Sequence, residues 1–119
     1  MGKTRSGVPN GWNGHRARKM FAELFCDDRS RFPEWLESVE WGGPDRPAET
    51  HFVAHLDIGP VPLCVKPTEI GIEEYRQKHP GQGVGFYMSP YRTRRDQRVT
   101  FFFVLRKERE RRLAETRPP

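Results

Sequence analysis

Histidine, aspartate and cysteine side chains, which carry much of the acid–base and metal chemistry of proteins, lie near the middle of the sequence. The segment HFVAH places His51 and His55 four residues apart, and Asp57 follows. On a helix these histidines would face one metal ion, but on a strand they lie roughly 13 Å apart, too far to share it. His55 and Asp57 share a strand face at roughly 7 Å, where Cys64 or His79 could join them. Because the spacing fixes no such neighbour, we interpret them as surface or partner-facing polar residues.

Cys64 and the glycine-rich segment GQGVG are the remaining features with a possible chemical use. A lone cysteine in an apolar strand is usually packed there, and no nucleophile–base pair with His55 or His79 follows from the spacing. Glycine loops bind phosphate when a strand precedes them and a helix follows, whereas we predict a helix before Gly81 and a strand after Gly83. We therefore predict no catalytic residue, no metal and no cofactor.

The segment YRTRRDQRVTFFFVLRKERERR, residues 91–112, holds nine basic and three acidic residues around three consecutive phenylalanines. Arginine outnumbers lysine sixteen to five in the chain, and its planar guanidinium group forks onto phosphate and stacks on bases. A neighbouring tyrosine can stack on an unpaired base. The residues that we predict to contact nucleic acid are Tyr91, Arg92, Arg94, Arg95, Arg98, Arg109, Arg111 and Arg112.

The formal net charge of +5 is unevenly distributed along the chain. Residues 1–22 carry five basic residues and no acidic one, residues 23–90 carry six and twelve, and residues 91–119 carry ten and four. Basic ends thus surround an acidic middle, which indicates an electrostatic partner such as RNA or an acidic protein surface. The alternative is that the basic ends fold back onto the acidic middle.

The first half of the chain shows two helical patterns. Asn13 can cap a helix, and Ala17, Phe21 and Leu24 share one face with their apolar neighbours, which predicts a helix over 15–26. In SRFPEWLESVEW a proline suits a first helical turn and apolar residues recur on one face, which predicts a second, short helix. The breakers in GGPDRPAE then predict an internal linker over 41–50.

The second half shows alternating patterns that predict four strands. THFVAHLDIG and VPLCVKP read as two strands joined by a turn, with Pro60 and Pro62 placing the second at a sheet edge. Thr68 can cap a helix over 69–78, and VGFYMS predicts a third strand. RVTFFFVLR, residues 98–106, predicts a fourth, central strand about 30 Å long that separates the two arginine groups, because both of its faces are apolar.

These elements predict an α+β fold in the order α-α-β-β-α-β-β, with a small four-stranded, mainly antiparallel sheet. Two N-terminal helices and one inserted helix cover it. We expect a basic flexible arm over 1–14, a single domain over 15–106 and a basic tail over 107–119, in which Glu108 and Arg112 can pair. No apolar run reaches the roughly 20 residues of a membrane span, and the N-terminus lacks a signal-peptide pattern.

Two functions follow from these features. The first is a non-enzymatic, small basic protein that docks on RNA or a ribonucleoprotein assembly through its arginine-rich hairpin and tails. The alternative is a protein-binding accessory or inhibitory subunit of a large complex, held by its extended ends, with Trp12, Trp35 and Trp41 as interface anchors. The two cysteines do not make a disulfide framework, which favours an intracellular, reducing location in the cytoplasm or an organellar matrix.

Overall fold

The computed structural model describes residues 11–42 and 46–116. Residues 1–10 of the predicted arm, residues 43–45 of the predicted linker and residues 117–119 of the predicted tail lie outside the described residues. The order of elements is α-β-β-β-α-β-α. The helices are α1 (Gly14–Phe25), α2 (Glu69–Lys78) and α3 (Arg94–Thr116), and the strands are β1 (Leu36–Trp41), β2 (Phe52–Leu56), β3 (Gly59–Lys66) and β4 (Val84–Tyr87).

The four strands form one mixed sheet in the order β1-β2-β3-β4. β1 pairs with β2 in antiparallel fashion. β2 and β3 are also antiparallel, because a hairpin turn joins them. β3 and β4 are parallel, so the chain has to cross over between them, and α2 makes this crossover. The predicted mainly antiparallel α-α-β-β-α-β-β fold is therefore wrong in both the order of its elements and its strand pairing.

The main core lies on one face of the sheet and is built around aromatic rings. The ring of Phe21 on α1 lies 4.6 Å from that of Phe52, 5.9 Å from Phe86 and 5.0 Å from Phe101, measured between centroids. Phe25, one turn later on α1, contacts both Phe21 and Phe101. α1 and α3 thus pack side by side on this face, joined by aromatic rings that each bury a large apolar area.

α2 covers the opposite face of the sheet at the β3–β4 end. Its buried residues are Ile72 and Tyr75. A Cβ atom at Gly85 would meet the Ile72 side chain at 3.1 Å, so the glycine lets α2 approach β4 closely. Cys64, which pairs with Gly85 across the two parallel strands, is fully buried on the same side.

The predicted caps of the first and third helices are present. The Asn13 side chain accepts a hydrogen bond from the Arg16 amide at 3.0 Å, and α1 follows. The Thr68 hydroxyl accepts one from the Gly71 amide at 3.0 Å at the start of α2. These side chains satisfy amides that have no partner within the helix.

The predicted second helix over 30–41 is wrong, because its C-terminal half is the edge strand β1. Leu36 and Ser38 pair with two consecutive residues of β2, so Glu37 is an extra residue, a β-bulge. The bulge places Leu36 and Val39 on the same buried face although they are three residues apart. Three residues is also the spacing of one helix face, which explains why the pattern resembled a helix.

The predicted strand over 98–106 is also wrong, because these residues form the middle of α3. The Thr93 hydroxyl accepts a hydrogen bond from the Asp96 amide at 3.1 Å, and the Thr93 carbonyl accepts one from the Gln97 amide at 3.0 Å. The helix then runs without a break to Thr116. The predicted pair between Glu108 and Arg112 is confirmed, and such pairs at i, i+3 and i, i+4 favour the helical conformation.

The prediction that Pro60 and Pro62 place their strand at the sheet edge is wrong as well, since β3 lies between β2 and β4. The Leu63 carbonyl accepts a hydrogen bond from the His51 amide, so alternate residues of β3 face β2 and the two prolines face the other way. β4 begins its pairing with β3 only at Leu63, beyond both prolines. No ladder hydrogen bond is lost, because neither proline lies opposite a strand on its own side.

Within residues 11–42 and 46–116, none of the helices combines the length and the apolar character that a membrane span requires.

Candidate functional site

The buried stripe of α3 fixes which of its residues face the solvent. Gln97, Phe101 and Leu105 follow one another at four-residue spacing and are the buried residues of the helix. The Gln97 side-chain amide donates to the Ser89 carbonyl at 2.5 Å, which ties the first turn to the segment after β4. Residues two positions away from this stripe are therefore directed away from the core.

An apolar surface lies on the outward side of α3. Val99 and Phe103, one turn apart, are 62% and 49% exposed, so they form an apolar patch and are not isolated surface residues. Phe102 is half-buried beside them, and its ring meets that of Phe32 edge to face at 5.7 Å. We call this area the α3 apolar surface, and its residues are Phe32, Pro33, Trp35, Val99, Phe102 and Phe103, which line a hollow of about 540 Å³.

Basic side chains surround the α3 apolar surface. Arg31 and Arg106 line the same hollow, and none of the described residues that line it is acidic. The cationic groups of Arg106 and Lys107 lie 5.5 and 5.4 Å from the centre of the Phe103 ring. Arg109 lies over the Trp35 ring at 5.9 Å. These cation–π contacts hold positive charge next to exposed aromatic rings.

The helix brings the two predicted arginine groups much closer together than a strand would. Arg98 and Arg106 are eight residues apart, which is about 12 Å along a helix axis compared with about 26 Å along a strand. The predicted separation of the groups by a rigid strand is therefore wrong. The residues of these groups that lie at the α3 apolar surface are Arg106, Lys107 and Arg109, all from the second group.

Among the predicted nucleic-acid contacts at the start of α3, the arginines differ in their surroundings. Arg92 donates to the Tyr87 carbonyl at 3.2 Å and lies over the Tyr87 ring at 5.3 Å. Arg94 forms a long ion pair with Glu23 at 3.9 Å. Arg95 is exposed and Arg98 half-buried, and neither forms an ion pair with any residue that the structure describes. Arg95 and Arg98 can therefore bind a ligand without breaking a contact to a carboxylate or a carbonyl group, unlike Arg92 and Arg94.

The predicted contacts in the second half of α3 are occupied by carboxylates. Arg109 pairs with Asp57 through two hydrogen bonds. Arg111 pairs with Glu108 and Glu115, and Arg112 pairs with Glu108 at 2.7 Å. Burial raises the pKa of the Glu108 carboxyl, but hydrogen bonds from the two arginines outweigh this and lower the pKa overall. The carboxylates neutralise much of the charge that the sequence offers to phosphate.

The remaining predicted contacts are the aromatic residues. Tyr91 is 56% exposed near the start of α3. Of the predicted interface tryptophans, Trp35 belongs to the α3 apolar surface. Trp41 is 56% exposed at the end of β1, where its ring lies 4.4 Å from that of Phe52. Trp12 is half-buried and donates through its indole nitrogen to the Pro67 carbonyl at 3.0 Å.

The histidine and aspartate residues considered for acid–base chemistry are separated by their partners. His55 contacts Glu40 on β1 at 3.2 Å, and Asp57 binds Arg109. His51 accepts a hydrogen bond from the Val65 amide through Nδ1 at 3.0 Å. Burial lowers the pKa of His51 to about 4, with nearby Arg18 and Lys66 adding to the effect, so the ring is neutral at pH 7.

Burial also raises the pKa of the Cys64 thiol to about 11, so the nucleophilic thiolate is scarce at neutral pH. In the described ranges 11–42 and 46–116, no group of three or more histidine, cysteine, aspartate or glutamate residues is arranged to hold a metal ion. Gly81 has a φ angle of +75°, which a residue with a side chain rarely adopts, and it lies in the turn that follows α2.

One polar cluster was missed by sequence reasoning. The Glu49 carboxylate contacts Lys66 Nζ at 2.6 Å and His79 Nε2 at 3.0 Å, and Glu49 has a φ angle of +57°. The lysine hydrogen bond is the largest cause of a lowered pKa for Glu49. The three residues come from separate parts of the chain, so no local pattern could indicate their contact.

The α3 apolar surface was also missed, although a signal for it is present. Had the segment been analysed with a period of 3.6 residues, Gln97, Phe101 and Leu105 would have occupied one face, leaving Val99 and Phe103 outside it. Comparison with known proteins gives no further guidance, since no family model, no curated protein and no solved structure matches this chain.

Proposed function

We propose that this chain is a non-enzymatic protein-binding module, an accessory subunit that docks through the α3 apolar surface onto a protein partner. The observation that carries the proposal is the outward exposure of Val99 and Phe103 beside Trp35, with arginines at the margin. Clustered apolar side chains with a polar rim are typical of interaction sites. Aromatic and arginine residues are also the types most enriched among residues that dominate binding energy.

The chemistry of the rim indicates the chemistry of the partner. Arg31 and Arg106 line the hollow and Lys107 lies over the Phe103 ring, whereas Arg109 at the margin is already bound to Asp57. A complementary partner surface therefore places apolar side chains in the hollow and carboxylates around them. An amphipathic acidic helix has this composition.

The test is a tagged pull-down from the cells that produce the protein, with half of each sample treated with ribonuclease and deoxyribonuclease. Phe103→Glu places a carboxylate where Arg106 and Lys107 can pair with it, so the helix is retained while the apolar contact is lost. Phe103→Leu is the matched control because it keeps an apolar side chain. We expect a defined set of proteins that survives nuclease, is lost with Phe103→Glu and is retained with Phe103→Leu.

Docking on RNA is the second candidate, and Arg95 and Arg98 favour it because neither is bound to a carboxylate in the described residues. In that case the captured material disappears after nuclease treatment. Binding of a uridine oligonucleotide would weaken steeply with salt, and Arg95→Ala with Arg98→Ala would reduce the slope of that dependence. Phe103→Leu should retain binding under either candidate, so nuclease sensitivity and the effect of the two arginine substitutions distinguish RNA from a protein partner.

A further inference from the structure

β4 forms an open edge of the sheet. Among the described strands it pairs only with β3, on one side. The Met88 amide donates to the Lys66 carbonyl at 3.0 Å, so Met88 directs its backbone groups toward β3. Because backbone groups alternate in direction along a strand, Gly85 and Tyr87 direct their amides and carbonyls toward the open edge. Such a row of backbone donors and acceptors is a template for a further strand.

This edge lies at the bottom of a groove between two helices. α2 forms one wall through residues such as Ile72 and Arg76, and α3 forms the other through Thr100 and Val104. Two adjoining cavities of about 320 and 260 Å³ follow the edge and share Gly85 and the Arg76 and Val104 walls. We call this the β4 groove. It shares no lining residue with the hollow of the α3 apolar surface.

The two edges of the sheet differ in how they are protected against pairing. β1, the other edge, carries a bulge at Glu37 and exposes both Glu37 and Glu40. Bulges and charged side chains are the usual devices that prevent a further strand from pairing. β4 has no bulge in its pairing with β3 and no charged residue between Val84 and Tyr87. Its protection comes instead from the two flanking helices, between which Gly85 is buried and Tyr87 half-buried.

One side chain already occupies part of this edge. The Arg92 guanidinium group donates to the outward Tyr87 carbonyl at 3.2 Å and stacks over the Tyr87 ring. It takes the place that the amide of an added strand would take. Arg92 is attached to the segment before α3 and is not part of a strand, so it can leave without breaking the sheet.

We propose that the β4 groove binds an extended segment of a partner protein by strand addition, in exchange for the Arg92 contact. A second copy of this chain does not fit, because its own β4 edge is equally recessed between helices and cannot reach the first. Glu69 and Glu73 line the Tyr87 end of the groove. At the Gly83 end, Arg111 is already paired with Glu108 and Glu115, whereas Arg76 and Lys107 form no salt bridge with any residue that the structure describes. The segment that fits has uncharged alternating residues and a carboxylate at this end.

The test uses an array of hexapeptides with aspartate or glutamate at either end and valine, isoleucine or threonine elsewhere. The best binder is then studied by amide hydrogen exchange on the full-length protein. We expect the Gly85 and Tyr87 amides to become protected, while the Phe86 and Met88 amides, already directed toward β3, stay unchanged. N-methylation of the alternate peptide residues whose amides face β4 should abolish binding, because it removes the ladder donors, whereas N-methylation of the other set should not.

Arg92→Ala provides a second test, because strand addition and a purely electrostatic site predict opposite changes in peptide affinity. Removing the competing hydrogen bond should tighten peptide binding by about three- to tenfold, whereas a purely electrostatic site would lose affinity. Val99→Glu alters the α3 apolar surface eight residues, about 12 Å along the helix, from Lys107. It should leave peptide binding unchanged, which separates this inference from the proposed function. Absence of binding across the array at about 1 mM peptide, protection that does not alternate along β4, or weaker binding by Arg92→Ala would each overturn the proposal.

Discussion

The guanidinium group of Arg109 lies alongside the Asp57 carboxylate, with Nε 2.9 Å from Oδ1 and Nη2 2.7 Å from Oδ2. Asp57 belongs to the turn between β2 and β3, whereas Arg109 lies in the second half of α3. This bidentate pair therefore fastens the far half of the helix to the sheet. It also fixes Arg109 over Trp35, at the margin of the α3 apolar surface.

Asp57→Asn should loosen the second half of α3 without unfolding the protein. The Arg109 hydrogen bond is the largest cause of the lowered Asp57 pKa, so the charged pair stabilises the fold above the carboxyl's ordinary pKa. This stabilisation is lost as pH falls through the lowered pKa. Amide exchange in residues 108–114 should accelerate in the variant. Glu110→Gln is the control, since Glu110 forms only a 3.9 Å pair with Arg106.

Phe101→Ala and Phe103→Ala should differ strongly in their effect on stability. Phe101 is fully buried among three other aromatic rings of the core, and its truncation should lower the free energy of unfolding by about 3–5 kcal/mol. Phe103 is half-exposed, so its truncation should cost less than about 0.5 kcal/mol. Urea unfolding measures both. Equal losses would contradict the helix, because on a strand the two residues share one face.

Thr93→Ala should destabilise the start of α3. Its hydroxyl accepts the Asp96 amide, one of the donors that a helix leaves unpaired at its first turn. Loss of such a cap lowers the free energy of unfolding by about 1 kcal/mol. Thr93→Ser keeps the hydroxyl, so its free energy of unfolding should stay within a few tenths of a kcal/mol of that of the unmodified chain. The measurement is the free energy of unfolding in urea. An effect of serine equal to that of alanine would assign the loss to the methyl group instead.

Acidification from pH 6.5 to 4 should destabilise the protein through His51. Its folded pKa of about 4 lies below the ordinary value of 6.5, so within this window the unfolded chain binds a proton that the folded chain does not. The free energy of unfolding therefore decreases as pH falls, by up to about 1 kcal/mol per pH unit. This value includes a reduction for solvent screening, because the His51 ring is partly exposed. His51→Asn keeps an acceptor for the Val65 amide without titrating, and its unfolding free energy should lose this part of the pH dependence.

Elements whose signals are local could be predicted from the sequence. α1 and α2 each begin at a capping side chain, Asn13 and Thr68, and their buried residues recur at helical spacing. β2 alternates strictly, with Phe52, Ala54 and Leu56 buried. In each case one strong local preference agrees with the final burial, so no tertiary information was needed.

Two elements were mispredicted because the local pattern fits more than one structure. The three-residue spacing of Leu36 and Val39 fits a helix face, and only pairing with β2 creates the bulge that fits it to a strand. The run FFF fits a strand, but the flanking cap and ion pairs favour a helix. In the main core, Phe101 and Leu105 of α3 are buried together with Phe21 and Phe25 of α1, and this burial selects the helix. Packing against α1 is a long-range contact that no short window contains.

The sequence by itself determined the two capped helices, the β2–β3 hairpin and the basic character of the segment after β4, because composition, capping and strict alternation act over a few residues. Only the tertiary structure decided which cations are tied to carboxylates, as Arg109 is to Asp57, and which apolar residues stay outside the core, as Phe103 does. It also decided that β4 lies at an open edge between two helices. These properties depend on contacts between residues far apart in the chain, where burial and pairing outweigh local preference.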